Sequence, residues 1–176
     1  MGFHHTAFAT HDINGTHRFY TEAMGFTLAK VVVAPTEGGW AKHLFYEISK
    51  DEFIAFWDLH DDTLTQWSPA ISTGMGLPIY INHLAFRAED LGNLEARKQR
   101  WLEHGHTVRE IDHGWCTSIY TVDPNGILVE FCTTTQAMTA ADREEALRLL
   151  KDPHPTLEVP PRVIVHEPQA PAAKAS

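Results

Sequence analysis

The chain has 176 residues, 43% hydrophobic and 21% charged, with a formal net charge of −9. That length can bury a core without disulfide staples, no apolar run approaches the ~20 residues of a membrane span, and an acidic balance lacks the concentrated Lys and Arg that bind nucleic-acid phosphates. A small-molecule partner is expected, with no nucleic acid and no membrane. The start, Met1-Gly2-Phe3-His4-His5, has neither the cationic head nor the apolar stretch of a secretory leader, so a cytoplasmic location is expected. Cys116 and Cys132 form neither a CxxC pair nor a disulfide framework and read as small buried residues.

Residues 3–9 read as a short strand in which His5, Ala7 and Ala9 share one face while Thr6 and Phe8 share the other. Asp12 is placed to cap a helix whose apolar face is Phe19, Tyr20, Ala23 and Met24, and Gly25 suits the position just past its end. Three strands follow near 26–34, 40–48 and 53–59, divided by the turn-prone runs Pro35-Thr36-Glu37-Gly38-Gly39 and Ser49-Lys50-Asp51-Glu52. Residues 60–79 read as a linking loop.

The pattern then begins again. His83-Leu84-Ala85-Phe86 repeats His5-Thr6-Ala7-Phe8, Asp90 follows His83 by the same seven positions that separate Asp12 from His5, and Gly105-His106-Thr107-Val108 answers Gly25-Phe26-Thr27-Leu28. Near the end, Leu128-Val129-Glu130-Phe131 aligns with Phe53-Ile54-Ala55-Phe56, an offset of 75 against 78 at the start. A strand near 80–87, a helix near 90–104 and strands near 106–111, 115–122 and 127–133 complete the second copy. The expected fold is α+β: two tandem βαβββ modules, about 3–59 and 80–135, forming a cupped, partly closed mixed sheet. Residues 136–176 are expected to carry a short helix capped by Thr139-Ala140-Ala141-Asp142, then a proline-rich tail from Pro153 to Ser176, either laid on a neighbouring subunit or disordered.

Strand alternation places His83 and Ala85 on one face, as it does His5 and Ala7, and sets Glu130 with Leu128 and Cys132 away from the core-like Val129 and Phe131. A carboxylate on such a strand is costly to bury unless it is paired or binds a cation. His5, His83 and Glu130 are therefore the candidate metal ligands; the competing reading makes them separate hydrogen-bonded polar residues. The position matching Glu130 in the first module is Ala55, which cannot coordinate. Two imidazoles and one carboxylate leave coordination positions open, the arrangement associated with non-heme iron(II) oxygenases.

His5 with Asp12, Phe19-Tyr20 and Gly25-Phe26 resembles the signature of the vicinal-oxygen-chelate superfamily, which includes glyoxalases, fosfomycin-modifying thiol transferases, resistance proteins that bind drugs and extradiol ring-cleaving dioxygenases. The stretch Asp112-His113-Gly114-Trp115-Cys116-Thr117-Ser118-Ile119-Tyr120, then Asp123-Pro124-Asn125-Gly126 and Glu130, is similar to the extradiol dioxygenases. That resemblance implies that His113 handles protons, that Tyr120 hydrogen-bonds the substrate or the reacting oxygen, and that iron(II) binds a catechol-like diol beside O2. It departs from that pattern at Ile127-Leu128, where many extradiol enzymes have Asn-Gly. The alternatives are lyase, isomerase or thiol-transfer chemistry with manganese, nickel or zinc as Lewis acid, and a non-catalytic binding protein. A homodimer is implied by the resemblance. His43 and His60 are further histidine candidates without a motif, and Trp40, Phe45, Trp57 and Trp115 are either walls for an aromatic substrate or core.

Overall fold

Two aspartates start the two helices that organise the chain. Asp12 accepts a hydrogen bond from the Gly15 amide (2.8 Å) and Asp90 one from the Asn93 amide (2.8 Å), each satisfying an otherwise orphaned donor of a first turn. The matching ends are glycines in left-handed backbone, Gly25 at φ 76° and Gly105 at φ 82°, conformations that a Cβ would strain. The computed structural model describes residues 2–168. In chain order its elements are β1 (His5–Thr10), α1 (Ile13–Arg18), which continues as a π-helical turn over Phe19–Ala23, β2 (Thr27–Pro35), β3 (Gly39–Ser49) and β4 (Glu52–Asp61). The second set is β5 (His83–Arg87), α2 (Leu91–Glu103), β6 (Val108–Asp112), β7 (Cys116–Val122) and β8 (Leu128–Thr134). Last come α3 (Ala140–Lys151) and β9 (Val163–His166).

The strands form two sheets, ordered β1-β4-β3-β2 and β5-β8-β7-β6-β9. In each, the first strand runs parallel to the last of its module, and the registers match: Ala7 lies beside Ala55, and Ala85 beside Glu130. Ala55 therefore occupies in the first sheet the place of Glu130 in the second. The fold is α+β with two βαβββ modules, as expected. The two sheets stay separate and open rather than partly closing into one: the modules are joined through their helix-bearing faces, and among the described residues no ladder links strand edges across them.

That joining face is where the core sits. Phe26 at the end of the first helix packs on Phe86 and Phe131 of the second sheet (ring centroids 5.2 and 6.5 Å), and Trp101 of α2 packs on Phe131 (5.3 Å). Tyr20, Met24, Phe56, Trp101 and Val129 are fully buried there. Burial of each such side chain is worth ~1.5–3 kcal/mol. Polar contacts fix the register of the two modules: Arg97 donates to the Met24 carbonyl (2.9 Å), Arg100 to the Glu22 carbonyl (2.6 Å), and the Tyr20 hydroxyl to Asp123 (3.0 Å). Burial holds Asp123 above the usual carboxylate range despite the donors around it, and pushes the Tyr20 phenol up as well, with the neighbouring Asp123 charge adding to the rise.

The helix-side residues of both sheets share one core, and the opposite faces, which carry His5 in one module and His83 and Glu130 in the other, lie outside it.

The C-terminal segment contains an element absent from the sequence reading. After α3, which begins with the expected capping box of Thr139 and Asp142, residues 163–166 add β9 to the edge of β6 with Ile111 beside Val163 and Arg109 beside Val165. Residues 169–176 of the expected tail lie outside the described residues.

Candidate metal and substrate site

On the open face of the second sheet, His83 of β5 and Glu130 of β8 meet. Nε2 of His83 lies 3.0 Å from Oε2 of Glu130, and the carboxylate is 5% exposed. The other ring nitrogen, Nδ1, is 3.0 Å from the Tyr80 carbonyl, which can only accept, so Nδ1 carries a hydrogen. A neutral His83 then turns the lone pair of Nε2 toward a carboxylate oxygen. Two electron-rich atoms at that separation require a proton between them or a metal. Donors each about 2.1 Å from an octahedral cation and cis to one another stand about 3.0 Å apart, so the pair also fits a metal. A carbonyl that fixes the tautomer of a ligating histidine is the usual second support of such sites.

Beside this pair sits a second one. Tyr120 of β7 is directly opposite Glu130 in the ladder, and its hydroxyl is 3.1 Å from Nε2 of His113. His113 is held by the hairpin between β6 and β7, where its amide donates to the Cys116 carbonyl (2.9 Å) and Asp112 accepts from the Gly114 amide (2.8 Å). Burial pushes the Tyr120 phenol up to about 12, and the nearby Glu130 charge adds to the rise. Tyr120 therefore keeps its hydroxyl hydrogen across the physiological range, with the His113 ring as its neighbour. His83, His113 and Tyr120 open into a hollow of about 650 Å³, walled chiefly by apolar side chains such as Ile79, Ile111, Val122 and Leu128. That volume suits a small organic molecule.

His5 is not in this hollow. It lies on the open face of the first sheet, where its ring is 6.1 Å from His43 and 5.5 Å from Phe45, centroid to centroid. His43 stacks on Trp57 (3.8 Å, 12°), and its Nε2 is buried without a hydrogen-bond partner among the described residues. Burial lowers the His43 pKa, and His5 adds to the effect, which leaves the ring neutral at pH 7. A buried ring nitrogen without a partner is costly unless something else meets it. Among the described residues no group of three or more His, Cys, Asp or Glu stands close enough to hold a metal. The expected trio is thus divided two and one between the open faces of the two sheets.

Other candidates separate clearly. His60 sits on the helix-side face, bonded to Asp58 (2.8 Å) and stacked on Trp40 (3.9 Å), so neither His60 nor Trp40 belongs to an open face. Phe45 and Trp57 do, half-buried beside His43, whereas Trp115 is an exposed turn residue. Cys116 is buried and Cys132 half-buried, both as free thiols. Sequence reasoning left His43 outside the site. The alternation of His43 and Phe45 with the core residues Leu44 and Tyr46 along β3 is the signal that places it. No comparable signal marked the Tyr80 carbonyl.

A protein-family model described as the Glyoxalase/Bleomycin resistance protein/Dioxygenase superfamily matches residues 2–131. No curated protein matches the chain. Solved structures of similar fold include a glyoxylase/bleomycin resistance protein/dioxygenase domain from Frankia sp. EAN1pec (TM-score 0.58, 16% identity, 76% of this chain and 98% of that one). A fosfomycin resistance protein, FosX, from Listeria monocytogenes is another (0.52, 18%, 81% and 98%), as is TnmS3, an antibiotic binding protein from Streptomyces sp. CB03234 (0.52, 18%, 77% and 97%). At these identities the likeness is one of fold.

Proposed function

Because the chain belongs to the glyoxalase/bleomycin resistance protein/dioxygenase superfamily, we propose that it is a metal-dependent enzyme of that superfamily, a ring-cleaving dioxygenase acting on a catechol-like diol with O2. The observation that carries this reading is the coincidence in one hollow of a buried carboxylate facing a tautomer-fixed imidazole and a phenol bonded to a second imidazole. The first pair supplies two ligands of a two-histidine, one-carboxylate set, and His5 supplies the third.

Since no three-ligand group forms among the described residues of one chain, the set closes in a homodimer in which His5 of one copy faces His83 and Glu130 of the other. His43, whose Nε2 lacks a partner among the described residues, enters the hollow from the same side as His5. Iron(II) is the metal proposed, with manganese(II) as a substitute; His5, His83 and Glu130 would hold it, and when bound it would supply Lewis-acid and oxygen-activating chemistry to a chelating diol. The chain's own residues do the rest. Tyr120 donates a hydrogen bond to a substrate oxygen, His113 exchanges the proton of a diol hydroxyl, and the apolar walls exclude water from the reacting face. Ala55, standing where a fourth ligand would stand, leaves space for both partners.

The test is anaerobic reconstitution of the full chain with iron(II), elemental analysis, and oxygen uptake with a panel of catechols. Stoichiometric metal and ring-opened yellow products are expected. Turnover of a chelating substrate without oxygen would instead favour lyase or thiol-transfer chemistry, and ligand binding without stoichiometric metal a sequestering protein.

A further inference from the structure

The hollow of the second sheet has one charged wall. Arg109 lines it together with Ile111, Val163 and the residues already described, and it alone among those lining residues carries a permanent charge. It makes no ion pair among the described residues, although the chain has 23 acidic against 14 basic side chains. Its neighbour Glu110 points to the opposite face, where it accepts from Lys98 (2.9 Å) and His166 (2.8 Å). Arg109 is an exposed guanidinium beside an apolar surface, free to meet an anion that enters the hollow.

The ladder gives the distance. Glu130, Tyr120, Arg109 and Val165 are successive cross-strand partners on β8, β7, β6 and β9. Adjacent strands lie about 4.8 Å apart, so Arg109 stands about 10 Å from Glu130 along a line that passes over Tyr120. An aromatic ring with a short side chain fits that span. The far wall is built by β9, outside the family match that ends at residue 131. Val163 and Val165 pair with Ile111 and Arg109. The strand is fastened by His166 to Glu110 and by the Thr107 hydroxyl, which donates to Glu167 (2.6 Å). Without β9, β6 would be a bare edge and the hollow would lose the Val163 wall beside Arg109.

We propose that Arg109 and the C-terminal strand form a subsite for a carboxylate carried on the side chain of the aromatic substrate. The subsite rests on the reading of the hollow as a small-molecule site. Arg109 grips the carboxylate with two parallel hydrogen bonds while Ile111 and Val163 enclose the side chain next to it.

The test measures binding to the full-length protein by calorimetry for two matched probe pairs, a dihydroxyphenylpropionate with its methyl ester and phenylpropionate with its amide. Arg109→Gln and Arg109→Lys are compared with the parent, and oxygen uptake is followed for the diol pair. The parent should bind each acid at least about tenfold more tightly than its neutral partner, a gap expected of a charge-assisted bidentate contact. Arg109→Gln should erase the gap and Arg109→Lys keep part of it. Equal affinities in the parent, or undiminished discrimination in Arg109→Gln, would overturn the proposal. A change of dimer mass in Arg109→Gln with discrimination intact would also overturn it, because Arg109 would then serve the subunit contact. Discrimination without oxygen uptake leaves the subsite standing and removes the ring-cleavage reading; uptake at equal rates from acid and ester does the reverse.

Discussion

Replacing Tyr20 by Phe removes one hydroxyl from the seam between the modules, and the structure sets the size of the effect. Asp123 is 4% exposed and accepts four hydrogen bonds: from the Asn125 amide (2.8 Å), the Asn125 side chain (3.0 Å), the Ile127 amide (2.8 Å) and the Tyr20 hydroxyl (3.0 Å). A hydrogen bond to a charged group contributes ~1.5–3 kcal/mol. Loss of one of four, with no water able to replace it in a packed core, should cost about 2 kcal/mol at pH 7. For a chain of this length that is a fall in Tm of about 4–8 °C.

The pH dependence follows from Asp123. Its folded pKa is raised by burial, so stability linked to it is complete below the unfolded value of about 3.9 and is lost as pH rises through the folded value. The phenylalanine variant removes a donor that lowers that value, raises it further and loses more at neutral pH. As the pH falls and the carboxyl takes up its proton, only a neutral hydrogen bond of about 1 kcal/mol is missing. Thermal melts of parent and variant between pH 7 and pH 4 should therefore converge. A deficit that stays constant or widens toward acid would refute the assignment of the effect to Asp123.

Glu130→Gln should weaken metal binding at least about hundredfold while leaving the metal-free protein as stable as the parent, because a buried charge has been removed. In differential scanning fluorimetry, metal at about 100 times the parent's dissociation constant should raise the parent's Tm by about 5–10 °C, from ~2.7 kcal/mol of linkage, and leave the variant unmoved. Tyr120→Phe should keep stoichiometric metal but lower kcat about 100-fold, the usual contribution of a positioned proton or hydrogen-bond partner; unchanged kcat would remove Tyr120 from the chemistry. Thr139→Ala breaks the capping box of α3, worth ~1 kcal/mol. Since α3 buries none of its residues, amide exchange should speed up there with no change in global Tm.

Much of this arrangement was legible in the residues. The internal repeat located both modules, and the glycines and aspartates at equal spacings marked both ends of each helix because their roles are local. Alternation along β8 separated Glu130 from Val129 and Phe131, and the observed register pairs Ala55 with Ala7 as Glu130 is paired with Ala85. Strand β9 escaped notice because Val163-Ile164-Val165-His166 is short and sits in a stretch punctuated by Pro153, Pro155, Pro160, Pro161 and Pro168. Its pairing depends on the free edge of β6, a tertiary fact. The direction in which the open faces point was equally out of reach. Helix-side residues such as Phe26 and Phe131 have the same apolar pattern whether they meet within a chain or between chains.

The division of His5 from His83 and Glu130 within one chain makes a mixed dimer the most direct test. His5→Ala and Glu130→Gln, purified separately, should each fail to hold iron(II). When the two are co-expressed with different tags and the mixed dimer is isolated, one site draws His5 from the Glu130→Gln copy and the intact pair from the His5→Ala copy. The mixed dimer should bind one iron where the parent dimer binds two, and recover about half of its oxygen uptake. A mixed dimer as empty and inactive as either variant alone would contradict the shared site.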